Sequence, residues 1–121
     1  MTTVEQIHRQ ATREKIDVVC QVLQESLGQR LAAYGAEIKD PKQIGRYAKG
    51  ADRRPNATTE GRLREVYKVV QLLLTAETPE TVRAWMIGSN PQLNDEAPIE
   101  VLHRNQPGRA IRAAESFVTG G

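Results

Sequence analysis

The residues of this chain best equipped to contact a polyanion lie between positions 39 and 54: Lys39, Lys42, Gln43, Arg46, Lys49, Arg53 and Arg54. Gln pairs bidentately with an adenine edge, Arg with guanine, and Lys or Arg with phosphate oxygens. On a helix through this segment, Lys42, Gln43, Arg46 and Lys49 fall on one side, and Ile44, Tyr47 and Ala48 on the other. Lys39, Arg53 and Arg54 flank that helix, where they could reach the backbone on either side of a groove. The charge balance points the same way. The chain carries a net +2, but between Glu25 and Leu74 ten Lys or Arg oppose six Asp or Glu, whereas from Thr75 onward four oppose six. A basic middle and an acidic last third suit a polyanion at one place and another partner elsewhere. The plainer reading is that these charges solvate helix faces.

Other chemistry finds little to work with. His8 and His103 are far apart in sequence, no Ser or Cys nucleophile has a recognisable context, and no Gly-rich phosphate loop is present. Asp95-Glu96 is a carboxylate pair, but in a loop before Pro98 it reads as helix-start charge. Cys20 is alone, which excludes an internal disulfide and a cysteine-rich zinc site. The expectation is a protein that is not an enzyme and needs no metal or cofactor. No apolar run approaches the roughly 18 residues of a membrane span. The first residues, with Glu5, His8 and Arg9, lack the apolar centre of a signal peptide, so a cytoplasmic location is expected.

The elements that would position the basic residues are all helical. At 121 residues and 39% hydrophobic content the chain can build one domain, or two small ones sharing a core. A first helix is expected from Thr3 to Gln24, with Thr3 and Gln6 as a capping box. Its stripe of Val4, Ile7, Ala11, Val18 and Val22 is interrupted by Glu14 and widened by Ile16, Val19, Cys20 and Leu23, a width that suggests a dimer seam. A second helix covers Leu27 to Glu37, with Leu31, Tyr34 and Ile38 inward and weakened by Gly28 and Gly35. Asp40-Pro41-Lys42-Gln43 starts a short third helix ending near Gly50. Two short helices around a tight turn, the second with a basic and amide face, form a helix-turn-helix pattern. The longest periodic stretch follows, from Thr58 to Ala76, with Leu63, Val66, Tyr67, Val70, Leu73 and Leu74 inward and Arg62, Arg64 and Lys68 as plain solvent-facing charge.

The third part is organised by the stretch from Val82 to Pro98, which holds the only Trp. Thr78 can cap, Pro79 suits the first helical position, Val82, Trp85 and Met86 form a stripe, and Gly88 supplies a left-handed end. Asn90-Pro91 forces an extended exit. Short helices from Pro98 to His103 and from Pro107 to Val118 complete an all-α fold. Residues 1–56 form the N-terminal helix and helix-turn-helix region, and residues 57–121 the long helix and a C-terminal domain.

Trp85, Gly88, Asn90, Pro91, Leu93, Pro98 and Leu102 together resemble the C-terminal signature of the Xre/MbcA/ParS-type antitoxins. These are bacterial toxin-antitoxin proteins in which a helix-turn-helix precedes a toxin-binding domain. The resemblance spans about Leu27 to Val118, and the segment from Asp40 to Gly50 is similar to the family's second helix. Tyr47 stands where relatives carry Trp, and the turn Glu37-Ile38-Lys39-Asp40 lacks a glycine, which leaves the docking angle open.

What the resemblance implies is a double role. The partner would be a RES-type toxin that consumes NAD, bound through Trp85, Asn90, Pro91, Leu93, Asp95, Phe117 and Val118, with the C-terminal end near the toxin's cleft. The second partner would be double-stranded operator DNA in the chain's own promoter. A homodimer and a hetero-oligomer with the toxin are expected. Each motif residue also has a plain role: Trp85 beside Val82 packs a core, and Asn90, Pro91 and Pro98 make turns. A stand-alone helix-turn-helix regulator without a toxin, and an adaptor that no longer binds DNA, are the other two readings.

Overall fold

The computed structural model describes residues 3–50 and 54–120, and these hold eight α-helices, one turn of 3₁₀ helix and no strand. The chain is all-α. In order the helices are α1 (Val4–Arg13), α2 (Ile16–Leu27), α3 (Gln29–Gly35), α4 (Lys42–Lys49), α5 (Ala57–Leu74), α6 (Pro79–Ile87), α7 (Pro98–His103) and α8 (Pro107–Val118), with the 3₁₀ turn at Pro91–Leu93. No helix among the described residues is long and apolar enough to cross a membrane.

The expected helix from Thr3 to Gln24 is two helices. The Thr3 and Gln6 capping box forms as expected, but Glu14 and Lys15 are extended (ψ 147° and 139°) and end the helix without Gly or Pro. A straight helix continuing the Ile7 and Ala11 stripe would carry Glu14 into the core. The break lets α1 bury Ile7 and Ala11 against α5 while α2 turns to meet α3, α4, α5 and α6. Val19, Cys20 and Leu23 are each 0% exposed. The apolar width that suggested a dimer seam is therefore consumed inside the chain.

The second helix is shorter than expected and turns a different face inward. Leu27 closes α2, and Gly28 forms the joint at φ 84°, a left-handed value that favours glycine. Ala32, Ala33, Gly35 and Ala36 are the buried residues of this segment, not Leu31, Tyr34 and Ile38; Leu31 and Ile38 are half-buried and Tyr34 is exposed. The cause is close approach. A Cβ on Gly35 would lie 2.9 Å from Ile99 Cδ1 and 3.3 Å from Val66 Cγ2, so only small residues fit against α5 and α7. The Tyr34 ring lies instead on His103, with centroids 3.9 Å apart and planes within 5°.

α5 is the spine. Leu63, Val66, Tyr67, Val70 and Leu73 are buried as their spacing requires; Val69 and Leu72 are buried too, and Leu74 is half-buried. Seven buried positions on one helix leave little room for a solvent face, and Arg62 and Arg64 correct the expectation of plain surface charge. Their side chains are only 14% and 15% exposed. Arg64 donates to the carbonyls of Ala11 (3.1 Å) and Glu14 (2.7 Å) and pairs with Glu60 (3.0 Å), so it satisfies the end of α1 at the break. Arg62 does the same for the ends of α3 and α7, donating to Gly35, Leu102 and His103 carbonyls.

The end of α6 also differs from expectation. Thr78 caps it and Pro79 opens it, but Gly88 is extended (φ −85°, ψ 155°) rather than left-handed. The reversal is deferred to Asn94 and Asp95 (φ 55° and 67°), because the chain first runs out to pair Asn90 with Glu96.

Two outcomes follow for stability. Arg64→Ala leaves the carbonyls of Ala11 and Glu14 without their donor and should cost about 1–3 kcal/mol in urea unfolding, with an unchanged denaturant slope. Glu60, its carboxyl held below the ordinary value of 4.5 first by Arg54 and then by Arg64, contributes stability that is complete above that value and is lost as pH falls through the folded pKa. Glu60→Gln should flatten this acid limb when unfolding is followed from pH 6 down to about pH 3.

Candidate nucleic-acid and partner interfaces

α3 and α4 are joined by a tight turn, and both pack on α2. The turn is closed by two backbone bonds, Ile38 N–H to Ala33 carbonyl (2.8 Å) and Glu37 N–H to Tyr34 carbonyl (3.2 Å), around a left-handed Glu37 (φ 57°). This is the helix end usually built on glycine. Asp40 then accepts the Lys42 backbone N–H at 3.0 Å, and Pro41 rather than Asp40 serves as the cap, so the helix starts one residue later than expected. Ile44 and Ala48 are buried and Tyr47 half-buried, as their positions require. Gly45 faces both neighbours of α4: a Cβ there would come 2.6 Å from Gln29 Nε2 at the start of α3 and 3.3 Å from Gln24 Oε1 in α2.

That packing leaves Lys42, Arg46 and Lys49 exposed, Gln43 half-buried, and Lys39 exposed just before the helix. The two base-reading types stand together. Arg46 donates to Gln43 Oε1 through Nε (3.1 Å) and Nη2 (2.9 Å), and to Asp40 Oδ2 at 2.8 Å. The Arg46 bond, with the Lys42 backbone bond behind it, holds the Asp40 carboxyl below its usual range. Arg54 is placed differently: it forks onto Glu60 at 2.9 and 3.1 Å and so belongs to the start of α5. Arg53 lies outside the described residues. Glu37, an acidic group beside this face, is paired with Arg62 at 2.9 Å. The site combines amide, guanidinium and ammonium donors on one helix.

A second surface is built by α6, the loop after it and α8. Trp85 is half-buried rather than core, its ring centroid 6.2 Å from that of Phe117, itself 41% exposed. The two rings line an open cleft of about 410 Å³ with Asn90, Pro91, Gln92 and Gly120, and among the described residues no charged side chain lines it. Asn90 organises the loop: its side chain accepts from Gln92 N–H (2.9 Å), its backbone N–H donates to Glu96 (3.2 Å), and its carbonyl receives Leu93 and Asp95 (both 2.9 Å). Gln92 Nε2 reaches Ser116 Oγ at 2.7 Å and ties the loop to α8.

Of the residues expected to meet a protein partner, Trp85, Asn90, Pro91 and Phe117 share this cleft. Asp95 is exposed on the same loop, and Val118 is half-buried. Leu93 is a correction. It is 2% exposed because the 3₁₀ turn points it into the core, so it anchors the loop from beneath and offers no contact surface. Gln92 and Ser116 lie in the loop from Ser89 to Ala97 and in the last helix, where exposed contact was expected, but the bond between them spans elements and has no local signal.

No family model matches the chain, and the curated proteins and the solved structures give no match either.

The placement of Leu93 and Phe117 predicts opposite costs. Leu93→Ala should destabilise by about 2–5 kcal/mol, whereas Phe117→Ala, at the surface, should cost under about 1 kcal/mol. Equilibrium urea melts of the two variants would show the ordering, and a reversed order would place Phe117 in the core.

Proposed function

We propose that this chain is an antitoxin of the Xre/MbcA/ParS type. In this reading α4 reads operator DNA in the chain's own promoter, and the cleft beside Trp85 and Phe117 receives a RES-type, NAD-consuming toxin. The observation that carries the proposal is the presence of two chemically different surfaces: a basic and amide face on α4, and a cleft on α6, its loop and α8 lined by Trp85 and Phe117 with no charged side chain among the described residues. A regulator needing only DNA has no use for the second. Exposed aromatic rings around a concavity are typical of protein contact. Two-fold operators favour a homodimer, and that assembly now rests on operator symmetry rather than on spare apolar surface of the first helices.

The two activities should separate. Gln43→Ala with Arg46→Ala should abolish repression while still rescuing cells from a toxin encoded beside this gene; Arg46→Ala alone should weaken operator binding by about 1–3 kcal/mol. Phe117→Asp should lose rescue and keep DNA binding. A point substitution is the right probe because Ala113 and Ala114 are buried at 3% and 0% exposure, so removing the end of α8 would remove core. Loss of both activities in either variant would reject separate surfaces, and DNA binding with no toxin partner would leave a stand-alone regulator.

A further inference from the structure

A turn of this kind ordinarily needs glycine at its left-handed position, because a Cβ there crowds the backbone. Here the position is Glu37, at φ 57°. What stands around it is unusual in one respect: a guanidinium from the first half of α5 is the common partner of the turn and of two helix ends. Arg62 Nη1 donates to Glu37 Oε2 at 2.9 Å, and Nη2 reaches the carbonyls of Gly35 (3.3 Å), Leu102 (2.9 Å) and His103 (2.9 Å). The carbonyl ends of α3 and α7 carry the negative ends of their dipoles, so one buried cation answers both and a carboxylate as well. His103 adds a second tie on the same turn, its Nδ1–H donating to the Tyr34 carbonyl at 2.8 Å while its ring stacks on Tyr34.

We infer that Arg62 is a positioning residue for DNA recognition: by gripping Glu37 and the end of α3 it holds the left-handed turn that sets α4, the part glycine plays elsewhere. The inference rests on the reading of α4 as the recognition helix. Arg62 does this from inside the protein, its side chain 14% exposed and its donors given to Glu37 and to three backbone carbonyls. It also makes the turn dependent on α7, since the same Nη2 holds Leu102 and His103.

The test uses the full chain and a labelled duplex from upstream of its own gene, read by fluorescence anisotropy across a salt series, with amide hydrogen exchange of the free protein as a readout that needs no DNA. Arg62→Gln should weaken binding about tenfold with an unchanged salt slope, because no phosphate contact is lost. The Ile38 amide should exchange faster, while Val69 and Val70 in α5 keep their protection. In the Arg62→Gln background, Glu37→Gly should restore affinity, since glycine adopts the turn unaided; Glu37→Gln, which removes the charge and leaves the backbone demand, should restore much less. A salt slope lowered by about one would make Arg62 a phosphate contact. Equal rescue by Glu37→Gln would reduce its role to neutralising Glu37, and unchanged Ile38 exchange would show that it does not hold the turn; each overturns the inference. If the wild-type chain fails to bind the duplex, the DNA reading falls and the recognition role falls with it, while Ile38 exchange still decides whether Arg62 holds the turn.

Discussion

The carbonyl ends of α1, α3 and α7 converge on two arginines of one helix, and much of the packing is arranged around that fact. A helix inside a small bundle ends with carbonyl groups that have no partner of their own, and leaving them dry is costly. Arg62 and Arg64 project from α5 two positions apart and supply those donors, Arg64 to α1 and Arg62 to α3 and α7. Arginine suits the task because its planar fork serves several acceptors at once, which a lysine ammonium on a flexible stem does not. Each cation is also matched by a carboxylate, Glu60 for Arg64 and Glu37 for Arg62. Among the described residues no buried side-chain nitrogen or oxygen is left without a partner.

With the helix ends held, small residues settle how near the helices come. Ala32, Ala33, Gly35 and Ala36 let α3 lie against α5 and α7, and Gly45 leaves room on α4 for the side chains of Gln29 from α3 and Gln24 from α2. On α3, packing by the small face turns the larger residues outward, whereas α4 buries Ile44 with Ala48 and turns its polar side outward. Tyr34 ends on the surface against His103, and α4 presents Lys42, Arg46 and Lys49. The cleft of the third part follows the same logic: Leu93 is taken inward to fasten the loop, which leaves Trp85, Pro91 and Phe117 at the rim. Each candidate surface thus stands on an anchor different from its contact residues, so contact residues can change without loosening the frame.

Much of this was legible in the chain itself. The ladder from Leu63 to Leu73 announced α5, Ile44 and Ala48 announced the inner side of α4, and Thr78 with Pro79 announced the start of α6. The polar side of α4 was equally readable, because on a short helix whatever is not inward is outward. The readings that failed are those in which a neighbour, not a local pattern, sets the outcome. Glu14 and Lys15 break a helix with no breaker residue, because continuing it would bury Glu14 and Arg64 is at hand to receive the carbonyls. Leu31, Tyr34 and Ile38 formed a plausible stripe, yet α5 and α7 approach the side of the alanines.

By itself, then, the sequence determined the all-helical class, most helix starts and the chemical character of α4, since capping, proline placement and a period of 3.6 residues act over a few positions along the chain. Only the tertiary structure decided which face of α3 is buried, where the first helix ends, that Leu93 is core while Trp85 and Phe117 share a cleft, and that two apparent surface arginines are internal. Those outcomes depend on atoms brought together from distant parts of the chain: Arg62 and the Leu102 carbonyl it binds are 40 residues apart, Arg64 and the Ala11 carbonyl 53. A carbonyl at a helix end accepts whichever donor the fold delivers, and nothing in its own neighbourhood of the sequence names that donor.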